Sequence, residues 1–532
     1  MEGASHSGEE LVYAPAIVIL ADDLYPRKLE IVREYIQNAS DALDAFSRIA
    51  DHIDDDSAPQ IKISIQGKSL LIWDNGIGMD EAEIQKLKRI AYSEKREGQD
   101  AGYKGIGRLA GIAVAKKLLI SSTSYGDPKL HKFEFRAEDL HQELTSNRRK
   151  GIQEPATVVI NRHTTITDLE VDATDHYTIV ELREIDDAYP ELLDASKLRE
   201  FIGDIGPVGF APDFSYGQRI SQNLSSHVPD YSPKTIWLTT TTGERVQVYK
   251  PYNNSMKLAE PVFIEVPDPR DGTRLLGYCW CAAKGKDMLG KMRAAGGKFS
   301  IEGDTPAEKK RFAGLVYKLF GFSIGDRNLP LGSLWSKDYT RPLWFTGEIH
   351  LIDKAVKPTT DRADFIDNEA RRQFYAGSQS RIARVLNTLA QDMSDNRKAY
   401  DTAERIRQRF DDLKGLLDDG RVERAELKAR KAELHQALER ELKRKCKDPE
   451  IQAFVKQVAQ TGRALQRRLE EAQSHKDKVS EINDLAREMG MTSQARKVYT
   501  IVMETLENYF AGDKDAYYEV SGEIKKAIRK RY

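Results

Sequence analysis

Residues 29–46 read LEIVREYIQNASDALDAF. Leu29, Val32, Ile36, Ala39 and Leu43 recur at helical spacing and predict an amphipathic helix with one buried stripe. A second face carries Glu34, Asn38 and Asp41 at i, i+4 and i+7, so a carboxylate, a carboxamide and a further carboxylate line up one turn apart. Alone, such a row is an ordinary solvated helix surface. The neighbouring segments give it chemical meaning.

Residues 61–79, IKISIQGKSLLIWDNGIGM, alternate apolar and polar positions across Gln66-Gly67 and predict a β-hairpin. Its second strand runs into Asp74, Asn75, Gly76, Ile77, Gly78 and Met79. Glycines on either side of Ile77 let the backbone pass close to a flat ligand, while Asp74 accepts a hydrogen bond from an exocyclic amine. Further on, AGYKGIGRLAGIAVAKKLLI (residues 101–120) sets Gly102, Gly105 and Gly107 ahead of a run read as helical. Such glycines let backbone N–H groups converge on anionic oxygens, a helix N-terminus favours negative charge, and Lys104 or Arg108 is placed to pair with a terminal phosphate. The G-x-x-G-x-G spacing matches neither the Rossmann fingerprint nor the Walker A loop.

In this order and spacing the three segments resemble the GHKL superfamily of the Bergerat fold: DNA gyrase, the ninety-kilodalton heat-shock chaperone, sensor histidine kinases, MutL and the MORC proteins. The resemblance covers about residues 15–185 and makes E-Y-I-Q-N-A-S-D-A the N box, D-N-G-I-G-M the adenine box and G-Y-K-G-I-G the ATP lid. It implies ATP and Mg2+ as ligands. Glu34 would activate the attacking water, Asn38 would hold the magnesium, Asp41 would support the site, and Asp74 would read the adenine amine beside Gly76, Gly78 and Met79. Gly102, Tyr103, Lys104, Gly105, Ile106, Gly107 and Arg108 would wrap the phosphates, with Lys104 on the terminal one. Magnesium takes few protein ligands and keeps several waters, so one Asn with the phosphates is chemically adequate. A later-strand threonine also meets adenine in such families; HYTIVEL offers Thr178 and HTTIT offers Thr165, and Thr178 is preferred.

Sensor kinases carry a phosphoacceptor histidine helix ahead of the N box, whereas only His6, in a polar stretch, precedes it here. The hydrolysing branches instead send a basic side chain from a second α/β domain to the γ-phosphate, where it steadies developing charge. The stretch GEIHLIDKAVKPTTDRADF resembles the segment that carries it, which nominates Arg362, with Lys357 as the alternative.

At 532 residues the chain has room for three or four domains of ordinary size. The expected fold class is α+β: a Bergerat-fold ATPase domain over 1–190, a second α/β transducer-like domain over 191–375 with strand-like KTIWLTTTT and PVFIEV, and a helical region over 376–532. In the last region Ile406, Phe410, Leu413 and Leu417 step as a coiled-coil or helix-hairpin seam. Asp448-Pro449-Glu450 opens another helix, whose stripe is Phe454, Val458, Leu465 and Leu469. Two amphipathic segments near 494–510 and 514–530 follow.

With 82 basic and 84 acidic residues the charge balance singles out no partner. No run of about 18 apolar residues occurs, and MEGASHSGEE lacks the parts of a signal peptide, so a cytoplasmic protein without membrane contact is expected. Cys279 and Cys281 form a lone C-x-C far from Cys446, which fits neither a disulfide framework nor a zinc set. Basic residues gather at Arg424, Lys428, Arg430 and Lys431, and again at Lys525, Lys526 and Arg529, but interleaved acids such as Glu426 and Glu433 favour a solvated helix over a nucleic-acid face. The resemblance implies a homodimer joined through the C-terminal part. Its ATP-driven clamp would act on DNA or a protein client, in bacterial defence or genome maintenance. The alternative is an ATP-bound structural switch or scaffold with little turnover. A positioned base such as Glu34 favours the hydrolysing reading, because a switch needs none.

Overall fold

Helix α1 (Leu29–Ser47) buries Ile31, Val32, Tyr35, Ile36, Ala39, Leu43 and Phe46, while Leu29 is only partly covered. Its polar row is not solvated: Glu34, Asn38 and Asp41 are half-buried, and Arg33, Gln37 and Ser40 are buried outright. A helix apolar on one stripe yet covered nearly all round has neighbours on several sides, which is the environment of a site rather than of a surface. The computed structural model describes residues 25–49, 57–88, 107–283, 312–335, 340–418 and 424–531. They fall into two units, residues 1–387 and 388–532.

In the first unit, β1 (Gln60–Gln66) and β2 (Ser69–Asp74) form the expected hairpin, turning at Gly67 with φ of 58°. They join β3 (Ala115–Thr123), β4 (Lys129–Arg136), β5 (Thr164–Glu170), β6 (Tyr177–Ile185), β7 (Thr235–Thr239) and β8 (Arg245–Val248) in one eight-stranded sheet of order β5-β4-β3-β6-β2-β1-β7-β8. Every pair is antiparallel except β1 with β7. Ile61, Ile63, Leu70, Ile72, Ile120 and Leu182 bury one sheet face in the same core as the apolar side of α1.

Two expectations change here. The run after Gly107, read as helical, is a short 3-10 turn (Gly107–Ala113) followed by strand β3. Apolar runs of this length do not distinguish helix from buried strand, and pairing with both β4 and β6 decides the matter. KTIWLTTTT, assigned to the second domain, instead supplies β7, whose parallel ladder to β1 carries the first sheet past residue 190.

A second sheet contains β9 (Val262–Pro267), β10 (Leu275–Ala283), β11 (Gly314–Leu319), β12 (Phe322–Ile324) and β13 (Phe345–Leu351), in the order β12-β11-β13-β10-β9. Strands β11 and β13 are buried along their length, so both faces of the sheet centre are covered. Lys250, just after β8, reaches Glu348 on β13 at 2.7 Å, each side chain 2% exposed. Trp280 Nε1 donates to the same carboxylate at 3.2 Å, and His350 Nε2 lies 3.0 Å from it. Burial alone would raise the Glu348 carboxyl, but Lys250, with His350 behind it, holds it well below its ordinary value.

The second unit is helical. Pro449–Glu488 is capped as expected, the Asp448 carboxylate accepting from Glu450 N at 3.0 Å and Ile451 N at 3.3 Å. The seam Ile406, Phe410 and Leu413 is buried with Leu434, Val458, Leu465 and Leu469 in one cluster. The heptad-like spacing therefore serves a helix hairpin within the chain, one of the two readings it allowed. The helices Ser493–Tyr509 and Lys514–Arg529 complete the unit.

Candidate functional site

A cavity of about 360 Å³ lies between α1 and the inner face of the first sheet. At one end Asp74 and Thr178 are direct partners across the β2–β6 ladder, and both line the cavity. Gly76 N donates to Asp74 Oδ1 at 3.0 Å. Thr178 Oγ1 lies 2.8 Å from Ser122 Oγ, which accepts from Met79 N at 2.9 Å and is 2.9 Å from Tyr177 O. A carbonyl only accepts, so Ser122 gives its one proton to Tyr177 and Thr178 donates to Ser122. The lone pairs of Thr178 then face the cavity as acceptors.

At positions 76 and 78 the turn after β2 leaves no room for side chains. A Cβ on Gly76 would stand 2.6 Å from the backbone of Ala42, and one on Gly78, whose φ is 71°, would stand 1.8 Å from Thr123 O. Asn75 points away, receiving Gln60 N and donating to Ala58 O, and so fastens the turn to the start of β1. His176 Nδ1 donates to Gly76 O at 2.8 Å, and its ring stacks on Phe46 at 4.0 Å.

Along the cavity wall α1 presents Asn38 and Asp41, with Met79, Lys86 and Arg108 opposite or nearby. Beyond Asn38 stands Glu34. A Cβ on Gly107 would lie 2.1 Å from Glu34 Oε2, so any larger residue there would displace this carboxylate. Tyr35 ties the same stretch to α1, its hydroxyl accepting from Gly111 N at 2.8 Å and donating to Arg108 O at 3.3 Å. Residues 102–106, including Gly102, Tyr103, Lys104, Gly105 and Ile106, lie outside the described residues.

Arg362 comes to the same place from far along the chain. Its Nε is 3.9 Å from Glu34 Oε1, with the side chains 10% and 16% exposed. It sits in a tight turn where Pro358 pairs with Phe365 and Thr359 N bonds to Asp364 O. There Arg362 adopts φ of 55°, a left-handed conformation costly for a residue with a Cβ and held by the bonds around it, including Gly325 N to Arg362 O at 2.8 Å. Asn368 caps the helix that follows. Lys357, the alternative, is half-buried, and its carbonyl accepts from Ile366 N. Thr165 is exposed on β5, at the far edge of the sheet from the cavity.

Residues that sequence reasoning missed include Tyr25, Tyr35, Lys86, Ser122 and His176. Burial, and then the charge of Glu34, push the Tyr25 phenol above its ordinary value, so it stays protonated beside the carboxylate. Tyr35 and His176 stood next to chosen residues, in REYIQ and HYTIV, without a signal of their own. The donor set suits a nucleotide with magnesium: an amide oxygen and carboxylates at one end, a carboxylate with a hydroxyl at the other, and a glycine turn that a Cβ would fill. Among the described residues no cluster of three His, Cys, Asp or Glu side chains could hold a metal unaided.

The family model described as histidine kinase-, DNA gyrase B-, and HSP90-like ATPase matches residues 29–170. Chaperone protein HtpG of Psychrobacter cryohalolentis is 31% identical over 138 residues, which is 22% of this chain and 21% of that protein. Chaperone protein HtpG of Borreliella burgdorferi is 31% identical over 129 residues, 20% of each chain. That of Clostridium perfringens is 27% identical over 203 residues, 35% of this chain and 29% of its own. The matched part thus spans between a fifth and a third of these relatives.

Proposed function

Since residues 29–170 form an ATPase domain of the GHKL superfamily, we propose that the protein binds ATP with magnesium and hydrolyses it to ADP and phosphate. The observation that carries this reading is Glu34, half-buried past the cavity wall with Arg362 at 3.9 Å. Asp74 would accept from the adenine amine while Thr178 accepts beside it, fixing the base against a turn that admits only glycine at positions 76 and 78. Asn38 would hold magnesium, which when bound draws charge from the phosphate oxygens. Glu34 would take the proton of the attacking water as its oxygen joins the γ-phosphorus and the bond to the bridging oxygen breaks. Arg362 then matters twice: it offsets the Glu34 charge in the resting site, and its guanidinium can meet charge growing on the γ-phosphoryl group. Lys104 would reach the same group from the lid.

Phosphate release from Mg-ATP by wild type and Glu34→Gln tests the reading. Turnover lost in the variant with ATP still bound supports it; equal turnover in both removes Glu34 from the chemistry. Binding without hydrolysis in the wild type would leave the structural switch.

The wider expectation is a clamp-like cycle of a homodimer acting on a protein client or DNA. Supporting it, Val498, Ile501 and Val502 are exposed on the helix Ser493–Tyr509, a face open to self-association now that the heptad-like seam is used internally. Sedimentation with and without a non-hydrolysable ATP analogue should show a dimer that compacts, and a monomer in both states would sink the clamp. No helix among the described residues is long and apolar enough to cross a membrane.

A further inference from the structure

The face of the first sheet turned away from the nucleotide cavity carries a second chemistry. Register places Ser121, Ile179, Trp73, Lys62, Trp237 and Gln247 side by side across six strands on this face. Towards β3 and β6 its charges are matched, Lys117 with Glu134 at 3.7 Å and Arg183 with Glu181 at 2.8 Å. Towards β1, β7 and β8 they are not. Lys62 Nζ lies 3.9 Å from the ring centre of Trp73, and the Arg245 guanidinium lies 4.2 Å from that of Trp237. Among the described residues neither cation meets a carboxylate; the one hydrogen bond from Arg245 is to Gln60 Oε1 at 3.4 Å. Burial and the nearby Arg245 push the Lys62 ammonium below its ordinary value. Two like charges held together over indole rings, on a face that elsewhere pairs its charges, invite an anion with a planar π system.

We propose that Lys62, Trp73, Trp237 and Arg245 form a binding platform for single-stranded nucleic acid. The cations take phosphates and the indoles stack bases. Trp73 and Trp237 flank β1, two strand spacings or about 10 Å apart, so bases lying on both rings are splayed from one another, as in a single strand and not in a duplex. An acidic peptide would satisfy the charges but leave the indole faces without a partner. The platform goes beyond the ATPase reading and lies across the sheet from Asp74 and Thr178, so the two stand or fall separately.

Labelled oligothymidylate titrated into the full-length protein at low salt should bind and change tryptophan fluorescence, as the cations leave the rings for phosphates. Two phosphate contacts give a log–log salt slope of about −1.4, and Lys62→Gln or Arg245→Gln each removes about 0.7 of it. Trp73→Leu or Trp237→Leu should weaken binding about tenfold. All four variants should keep wild-type ATP turnover, and Glu34→Gln should keep oligonucleotide affinity. Because the tryptophan variants risk misfolding, the two Gln variants decide alone if those fail to fold. The proposal is overturned by absence of binding at low salt, by affinities indifferent to Lys62→Gln and Arg245→Gln, or by polyglutamate competing as well as the oligonucleotide.

Discussion

At one end of the cavity Asp74 and Thr178 meet across a continuous β-ladder, fastened by Ser122, His176 and the glycine turn. At the other end Glu34, Gly107 and Arg362 converge from three separate segments, and the last contact is an ion pair at 3.9 Å. The first arrangement is set as soon as two strands pair. The second also needs the Arg362 turn, tied to the end of β12 by Gly325 N, to lie against α1. On the proposed function, base recognition and hydrolysis would fall at these two ends, and substitutions should separate them.

The largest effect is expected at Glu34. Glu34→Gln should lower kcat by at least about a hundredfold while the Kd for ATP, measured by calorimetry, stays within a few-fold. Arg362→Ala should follow, with kcat down by about a hundredfold in steady-state phosphate release and binding again little changed. Asp74→Asn should do the reverse, raising the Kd about tenfold to a hundredfold through loss of a charged hydrogen bond, with kcat at saturation largely kept. If Asp74→Asn instead cuts kcat and spares binding, the contrast between the two ends is wrong. Thr178→Val should raise the Kd by only about three- to tenfold, the range of a neutral bond.

A separate effect, on stability and not on turnover, concerns how the second sheet is seated. Lys318 on β11 donates to Asp204 O at 3.0 Å in the helix Ala195–Ile205, whose Leu198 and Ile202 share the core of the first sheet. Burial, then the nearby Lys250, push its ammonium down to about 7. In the unfolded chain Lys318 keeps its proton up to the ordinary value of 10.5. Between these limits the unfolded state binds more protons, so this group makes stability rise with pH by up to about 1.4 kcal/mol per unit. Denaturant midpoints at pH 7 and 9 should show the rise in wild type and a smaller one in Lys318→Met; equal slopes would remove Lys318 from the linkage.

Much of the candidate site was legible because its parts are local. The period of α1, the alternation of the β1–β2 hairpin and the glycines at 76 and 78 are each set by a few consecutive residues. Thr178 could be preferred but not established, since HYTIVEL and HTTIT are equivalent until register sets one beside Asp74 and the other at the sheet edge. The run after Gly107 misled because Leu, Ile, Val and Ala satisfy either period, and only the ladders to β4 and β6 choose. KTIWLTTTT looked like a strand, and is one, but a strand's own sequence does not name its partner.

The sequence by itself determined which chemical groups each short segment could offer: a carboxylate and an amide one helical turn apart, an aspartate at a strand end, glycines where the chain must pass close to its neighbours. These depend on neighbours along the chain, whose geometry covalent structure fixes. Only the tertiary structure decided that Arg362 rather than Lys357 meets Glu34, that Thr178 faces Asp74, and that the seam of Ile406 and Phe410 closes within one chain. Those outcomes rest on contacts between residues far apart in sequence, where the energy of packing and pairing, not local preference, selects among arrangements that the residues alone permit equally.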